Sequence, residues 1–353
     1  MRLPPLRVID ADYLTRFQET NILIVIIFPV VQAVPIRESR PPTLPCPWNG
    51  GAGEEVAIRN YVVFLQSATS CLVSCYIRVL LFSERMTMPL GNNFLRHNQQ
   101  AWDAQAAQNS PWSQPVDSAT IAAARAGQWQ IHLTPGPLPA GWLDAVQGKR
   151  ILCLAGAGGQ QAPVLAAAGA QVTVFDLSEQ QLAKDRMVAE RDGLQLATVQ
   201  GDMRDLGCFA DASFDVIVHP VSNQYVPDIA PVWRECARVL ADGGVLLSSF
   251  FNPAVFIGDR DPQWAKQGLI RPRFVLPYSD VEDMPPDALA ARMERGEALI
   301  FGHGLDSQIG GQLAAGFVLA GYHEEMHPHP RFEIEKYLPS FIATRAVRQA
   351  RTA

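Results

Sequence analysis

The sequence predicts a doubly wound α/β domain, with helices on both faces of a mostly parallel sheet. Two observations carry this. Short apolar runs at 150–154, 171–175, 196–199, 214–218 and 244–250 alternate with helix-like segments. The first run ends in a glycine-rich turn, Ala155-Gly156-Ala157-Gly158-Gly159, and the second closes on an acid, Asp176. Continuous apolar runs, as opposed to alternating ones, belong to strands covered on both faces.

Residues 1–85 differ in character from the rest. They hold eight arginines and no lysine, with a proline-dense stretch at 41–47. Residues 61–82 have about the length of a membrane helix, which needs ~20 residues, but contain Gln66 and Arg78. The region is expected to be a poorly ordered or spurious extension, with Met86 or Met88 as the natural start. A membrane anchor and a small accessory domain are the alternatives.

Residues 86–148 are expected to form an N-terminal helical cover. Segment 93–108 is rich in Ala and Gln, good helix formers, and the prolines at 111 and 115 stop it. The main domain then runs over 149–353. Its helices are expected at 160–168, 178–191 and 231–240. Ser178 with Gln181 three residues on is a capping box signature, and Gly193 suits a helix end. Residues 252–300 lack periodicity and are expected to be a lid-like insertion. A helix at 305–315 and strands at 317–324 and 340–346 complete the domain.

Composition narrows the function. The chain has 353 residues, 48% hydrophobic and 18% charged, which suits a packed core. Its net charge is −6, with 21 basic against 28 acidic residues after position 85. A nucleic-acid binder needs a basic face, so a small-molecule partner is expected, and membrane association is not. Cys153, Cys208 and Cys236 are scattered singly, which fits a reduced, cytoplasmic setting. Cys71 and Cys75 lack the companions that a zinc site needs, so no metal is expected.

The glycine turn and Asp176 suit a nucleotide-type cofactor, but leave its kind open. A nicotinamide fingerprint wants a third glycine where Gln161 stands. Four features together resemble the class I S-adenosylmethionine-dependent methyltransferases of the small-molecule, type 11-like kind. They are Leu154-Ala155-Gly156-Ala157-Gly158-Gly159, Asp176, Gln200-Gly201-Asp202-Met203, and Phe214 to His219 followed by Arg238 to Leu246. The resemblance implies a Rossmann-like sheet of seven strands with the last antiparallel. It implies S-adenosylmethionine as cofactor, held by Ala155, Gly156, Gly158, Gln161, Asp176, Leu177, Asp202, Met203 and the His219 backbone. In that scheme Asp176 takes the ribose hydroxyls and Asp202 the adenine amine.

His219 and His303 are candidate general bases, since an imidazole titrates near neutral pH. A solvated or structural histidine is the alternative at each position. Trp102 is a candidate cover residue, and Asn223, Tyr225 and Tyr278 are candidate liners of an acceptor pocket. After His219 comes Pro220-Val221-Ser222-Asn223, which departs from the Asn/Asp-Pro-Pro-Tyr/Phe motif of nucleic-acid amino methyltransferases. An NAD-dependent oxidoreductase and a non-catalytic cofactor-binding module are the rival readings.

Overall fold

The computed structural model describes residues 93–350, which fall within one compact unit, Met88–Ala353. The expectations for residues 1–85, including Cys71 and Cys75, lie outside the described residues. Seven strands form the main sheet: β1 (Arg150–Leu154), β2 (Gln171–Asp176), β3 (Leu196–Gln200), β4 (Phe214–His219), β5 (Leu240–Phe251), β8 (Phe317–Glu325) and β9 (Phe341–Arg348). Their spatial order is β3-β2-β1-β4-β5-β9-β8. The first five pair in parallel, and β9 runs antiparallel to both of its neighbours, β5 and β8. The Rossmann-like sheet of seven strands is therefore present, with the antiparallel strand slotted inside the edge.

Alternation along β1 explains why the sheet is covered twice. Successive side chains point to opposite faces. Ile151 and Cys153 enter a core with Val172, Val174, Leu165 and Leu182, beneath α3 (Gln161–Ala167) and α4 (Glu179–Asp192). Leu152 and Leu154 enter the opposite core with Ile217, Val232, Trp233 and Cys236, on α5 (Ala230–Val239). Trp233 is fully buried there, and its indole N–H donates to the Ser307 carbonyl.

Local chemistry sets the helix ends. The Ser178 hydroxyl caps α4 by accepting from the Gln181 amide at 3.2 Å, and Gly193 closes it at φ 63°. Only half of the expected capping box forms, because the Gln181 side chain is drawn off to the glycine turn. Ahead of the sheet, α1 (Asn93–Ala107) and α2 (Ser118–Arg125) pack against α4 and α3.

Residues 252–300 are more structured than their sequence suggests. They hold α6 (Pro262–Lys266), α7 (Asp280–Asp283) and α8 (Pro286–Glu294). A two-stranded sheet of β6 (Tyr278–Ser279) and β7 (Phe301–Gly302) closes the segment. The organiser is Asp280, fully buried, which no periodicity reveals. It accepts from the Tyr278 hydroxyl at 2.6 Å and the Ile300 amide at 2.8 Å, and pairs with Arg292 at 2.9 Å. A short α9 (Gly311–Ala314) follows a π-turn at Asp306–Gly310 before β8.

Candidate active site

The carboxyl ends of the parallel strands meet a cavity of about 360 Å³. Open α/β sheets bind ligands at this edge, where strand order reverses. Here β1 lies between β2 and β4, and the turn after β1 forms the cavity floor. Ala155 and Ala157 adopt positive φ, 49° and 64°, in that turn. Left-handed backbone at non-glycine residues is costly and tends to persist only where surroundings impose it.

Those surroundings come from α4. The Gly158 amide donates to Gln181 Oε1 and the Gly159 amide to Asp185 Oδ1, each at 2.8 Å. Gly158 is required for close approach: a Cβ there would lie 2.3 Å from the Gln181 carbonyl oxygen. Asp185 is fully buried, and its Oδ2 has no hydrogen-bond partner. Burial, helped by the Asp176 charge, pushes its pKa up to about 8, against the pull of the Gly159 amide and Arg186. Neither Gln181 nor Asp185 was expected at the site, since 179–192 reads as an ordinary polar helix.

Asp176 lines the cavity with Leu177. Its Oδ1 accepts the Ser178 amide at 2.8 Å. Burial pushes its pKa up to about 6, the Ser178 bond opposes this, and nearby Asp103 adds to it. Asp202 and Met203 line the cavity beyond β3. Gly201 makes their position possible, because a Cβ there would sit 2.3 Å from the Phe175 ring. The Asp202 carboxylate is not bare. Arg204 Nε reaches both oxygens at 3.1 and 2.9 Å, and Nη2 reaches Oδ2 at 2.5 Å.

Of the residues expected to hold a cofactor, Ala155, Gly156, Gln161, Asp176, Leu177, Asp202 and Met203 line this one cavity. Gly158 sits behind it as the support just described. His219 lies beneath it and is fully buried. Its Nδ1 is 2.9 Å from the Leu154 carbonyl, and its Nε2 is 2.6 Å from Asn223 Oδ1. His303 is also buried, with Nε2 donating to the Asn223 and Val226 carbonyls at 3.1 and 2.9 Å. Burial lowers the pKa of both rings. Neither ring reaches the cavity, so the structure does not bring the two expected bases to the site. Asn223 is engaged with His219, and Tyr278 with Asp280.

The histidine that does line the cavity is His132, on the loop before β1. Its Nδ1 donates to the Gly136 carbonyl at 2.8 Å, which leaves Nε2 with a lone pair. Gln161 holds this loop by accepting the His132 amide at 3.0 Å.

The roof is α1. Trp102 lines the cavity and meets the Tyr225 ring edge-on at 5.1 Å. Asp103 Oδ1 accepts from the Ser178 hydroxyl at 2.5 Å and the Gln180 amide at 3.2 Å. Asn98 exchanges hydrogen bonds with the Leu299 backbone at 3.0 and 2.8 Å. The far end is aromatic: Phe251 and Phe341 lie 4.9 Å apart, with rings tilted by 33°.

Residues 152–248 match the family described as a methyltransferase domain. The chain is 45% identical over 258 residues to the uncharacterized methyltransferase YbaJ of Bacillus subtilis (strain 168). That match covers 73% of this chain and 99% of the relative. The chain belongs to the methyltransferase family. This methyltransferase is also 29% identical to a ubiquinone biosynthesis O-methyltransferase of Stutzerimonas stutzeri (strain A1501), over 40% of its own length and 59% of that protein's. A solved S-adenosylmethionine dependent methyltransferase from Mesorhizobium loti aligns over 59% of this chain and 94% of its own, at 22% identity and a TM-score of 0.45.

Among the described residues of this methyltransferase, no cluster of three or more His, Cys, Asp or Glu is placed to hold a metal. No helix among them is long and apolar enough to cross a membrane.

Proposed function

We propose that this methyltransferase uses S-adenosylmethionine to methylate a small-molecule acceptor in the cavity at the sheet edge. One observation carries the reading: a single cavity collects the glycine turn, Asp176, Leu177, Asp202 and Met203 from three adjacent strands. The residues fit such a cofactor. Asp176 offers an acceptor oxygen for ribose hydroxyls, Leu177 and Met203 offer apolar surface for a base, and Gly156 leaves room beside the turn. A Cβ on Gly156 would meet only Pro220, at 3.7 Å. Asp202 keeps lone pairs beyond those engaged by Arg204.

S-adenosylmethionine, when bound, would supply an activated sulfonium methyl group for transfer, with S-adenosylhomocysteine as the leaving group. The protein's part is alignment and exclusion of water, by the turn below and Trp102 above. An acceptor that must lose a proton has the His132 imidazole in the lining of the same cavity, and we assign that role to His132 in place of His219 and His303. The cavity volume suits a small acceptor, and the acidic net charge does not suit nucleic acid.

Calorimetry of the full chain with S-adenosylmethionine and, separately, NADH tests the cofactor. Binding of the first and not the second is expected; the reverse would replace the proposal with an oxidoreductase. Labelled methyl incorporation from a metabolite extract then separates an enzyme from a binding module.

A further inference from the structure

The cavity has two chemically distinct ends. Asp176 and Asp202 stand at the β2 and β3 end. Phe251 and Phe341 stand at the β5 and β9 end, four and five strand positions from β3, or about 19 and 24 Å at ~4.8 Å per strand. A cofactor anchored on β1, β2 and β3 leaves the second end for the acceptor. The one lysine or arginine among the described lining residues is at this second end. It is Arg331, whose guanidinium lies 5.3 Å over the Phe251 ring.

Arg331 is aimed by its surroundings. Buried Glu335 accepts the Arg331 amide at 2.6 Å, the Phe332 amide at 3.0 Å and Arg331 Nη2 at 3.3 Å. Two backbone amides thus share the Glu335 charge, and only one guanidinium nitrogen is engaged by it. A guanidinium has five N–H donors in a planar fork, so the remainder can grip a carboxylate or phosphate edge. Phe251 stiffens the fork from below, and Phe341 extends the apolar wall beside it.

We propose that this end of the cavity binds an acceptor with a flat apolar body and an anionic group, the body lying against Phe251 and Phe341 and the anion on Arg331. The inference rests on the reading that the other end holds the cofactor. It separates this chain's acceptor from neutral ones: an anion can take the guanidinium donors that Glu335 does not engage, and a neutral group pairs with them less strongly. Arg331 is half exposed, so the pairing is solvent-screened and selects by a modest factor.

The test titrates 2-naphthoate and its neutral amide, 2-naphthamide, into the full chain saturated with S-adenosylhomocysteine. The carboxylate is expected to bind about two- to fivefold more tightly, the range of an ion pair at a half-exposed site. Arg331→Gln should erase the preference, Arg331→Lys should keep part of it, and neither should alter S-adenosylhomocysteine affinity. Equal binding of the two probes, failure of both to bind, or a preference that survives in Arg331→Gln would overturn the proposal. So would loss of S-adenosylhomocysteine affinity in Arg331→Gln, since Arg331 would then serve the cofactor's own carboxylate. If S-adenosylhomocysteine fails to bind the unmodified chain, the cofactor reading falls, and the same titrations on the ligand-free protein still decide whether Arg331 selects anions.

Discussion

Replacing Asp185 with Asn should flatten the pH dependence of stability. Burial raises the Asp185 pKa in the folded protein to about 8, against an ordinary carboxyl value of 3.8. Between these values the folded state keeps a proton that the unfolded chain releases. Stability from this group is therefore fully present below about pH 4 and is lost as pH rises toward 8, at up to ~1.4 kcal/mol per pH unit. From pH 5.5 to 7.5 the loss approaches ~2.7 kcal/mol, which in a domain of this size lowers the melting temperature by about 5–10 °C. Asn keeps the oxygen that accepts the Gly159 amide but does not titrate. It also adds buried N–H donors, which cost ~1–3 kcal/mol at every pH. The informative quantity is accordingly the slope, not the offset. Asp176 titrates in the same direction with a folded value of about 6, so the comparison must be variant against parent. Calorimetric melting of both proteins at pH 5.5, 6.5 and 7.5 reads it directly. Parallel curves would refute the assignment of a buried, neutral carboxyl beneath the turn.

Other expectations concern the site and its supports. Gly158→Ala should reduce S-adenosylhomocysteine affinity by about tenfold or more, because the new Cβ collides with helix backbone that cannot yield; calorimetry giving an unchanged value would argue against that contact. Affinity for the same ligand should weaken as pH falls below 6, by up to ~10-fold per pH unit, as the Asp176 carboxylate is protonated; Asp176→Asn should bind weakly at all pH values and lose this dependence. His303→Ala leaves two buried carbonyls unpaired and should cost ~1–3 kcal/mol in denaturant unfolding, while His132→Gln should leave stability unchanged and lower kcat with an oxygen or nitrogen acceptor. A His132→Gln enzyme with full kcat on such an acceptor would remove His132 from the chemistry.

The parts of this protein that were readable from sequence are those whose physics is local. The continuous apolar run of β1 leads directly into the glycine turn, the acid closing β2 lies one strand–helix–strand unit further on, and each is recognised from its own few residues. The cofactor end of the cavity follows from that. His219 and His303 were misplaced because a histidine at a strand end or after a loop can face either the crevice or the core. What decides is the partner set, Leu154, Asn223 and Val226, which converges from separate elements. Gln181 and Asp185 look solvated in a helix whose sequence is EQQLAKDRMVAERD; they are buried because the turn of β1 is seated on them. Arg331 lies 80 residues beyond Phe251, in a segment without periodicity, and only the return of β9 beside β5 brings the two together.

The roof helix has a kinetic meaning. α1 is fastened at Asp103 to the cap of the helix that follows Asp176, and at Asn98 to the segment leading into β7. Trp102 hangs between these two fastenings. Opening these fastenings would uncover that side of the cavity, so α1 bears on how long an occupant stays as well as on how tightly it sits. Loosening Asp103 speeds entry and exit together, and turnover then depends on whether the departing product or the chemistry was the slower event.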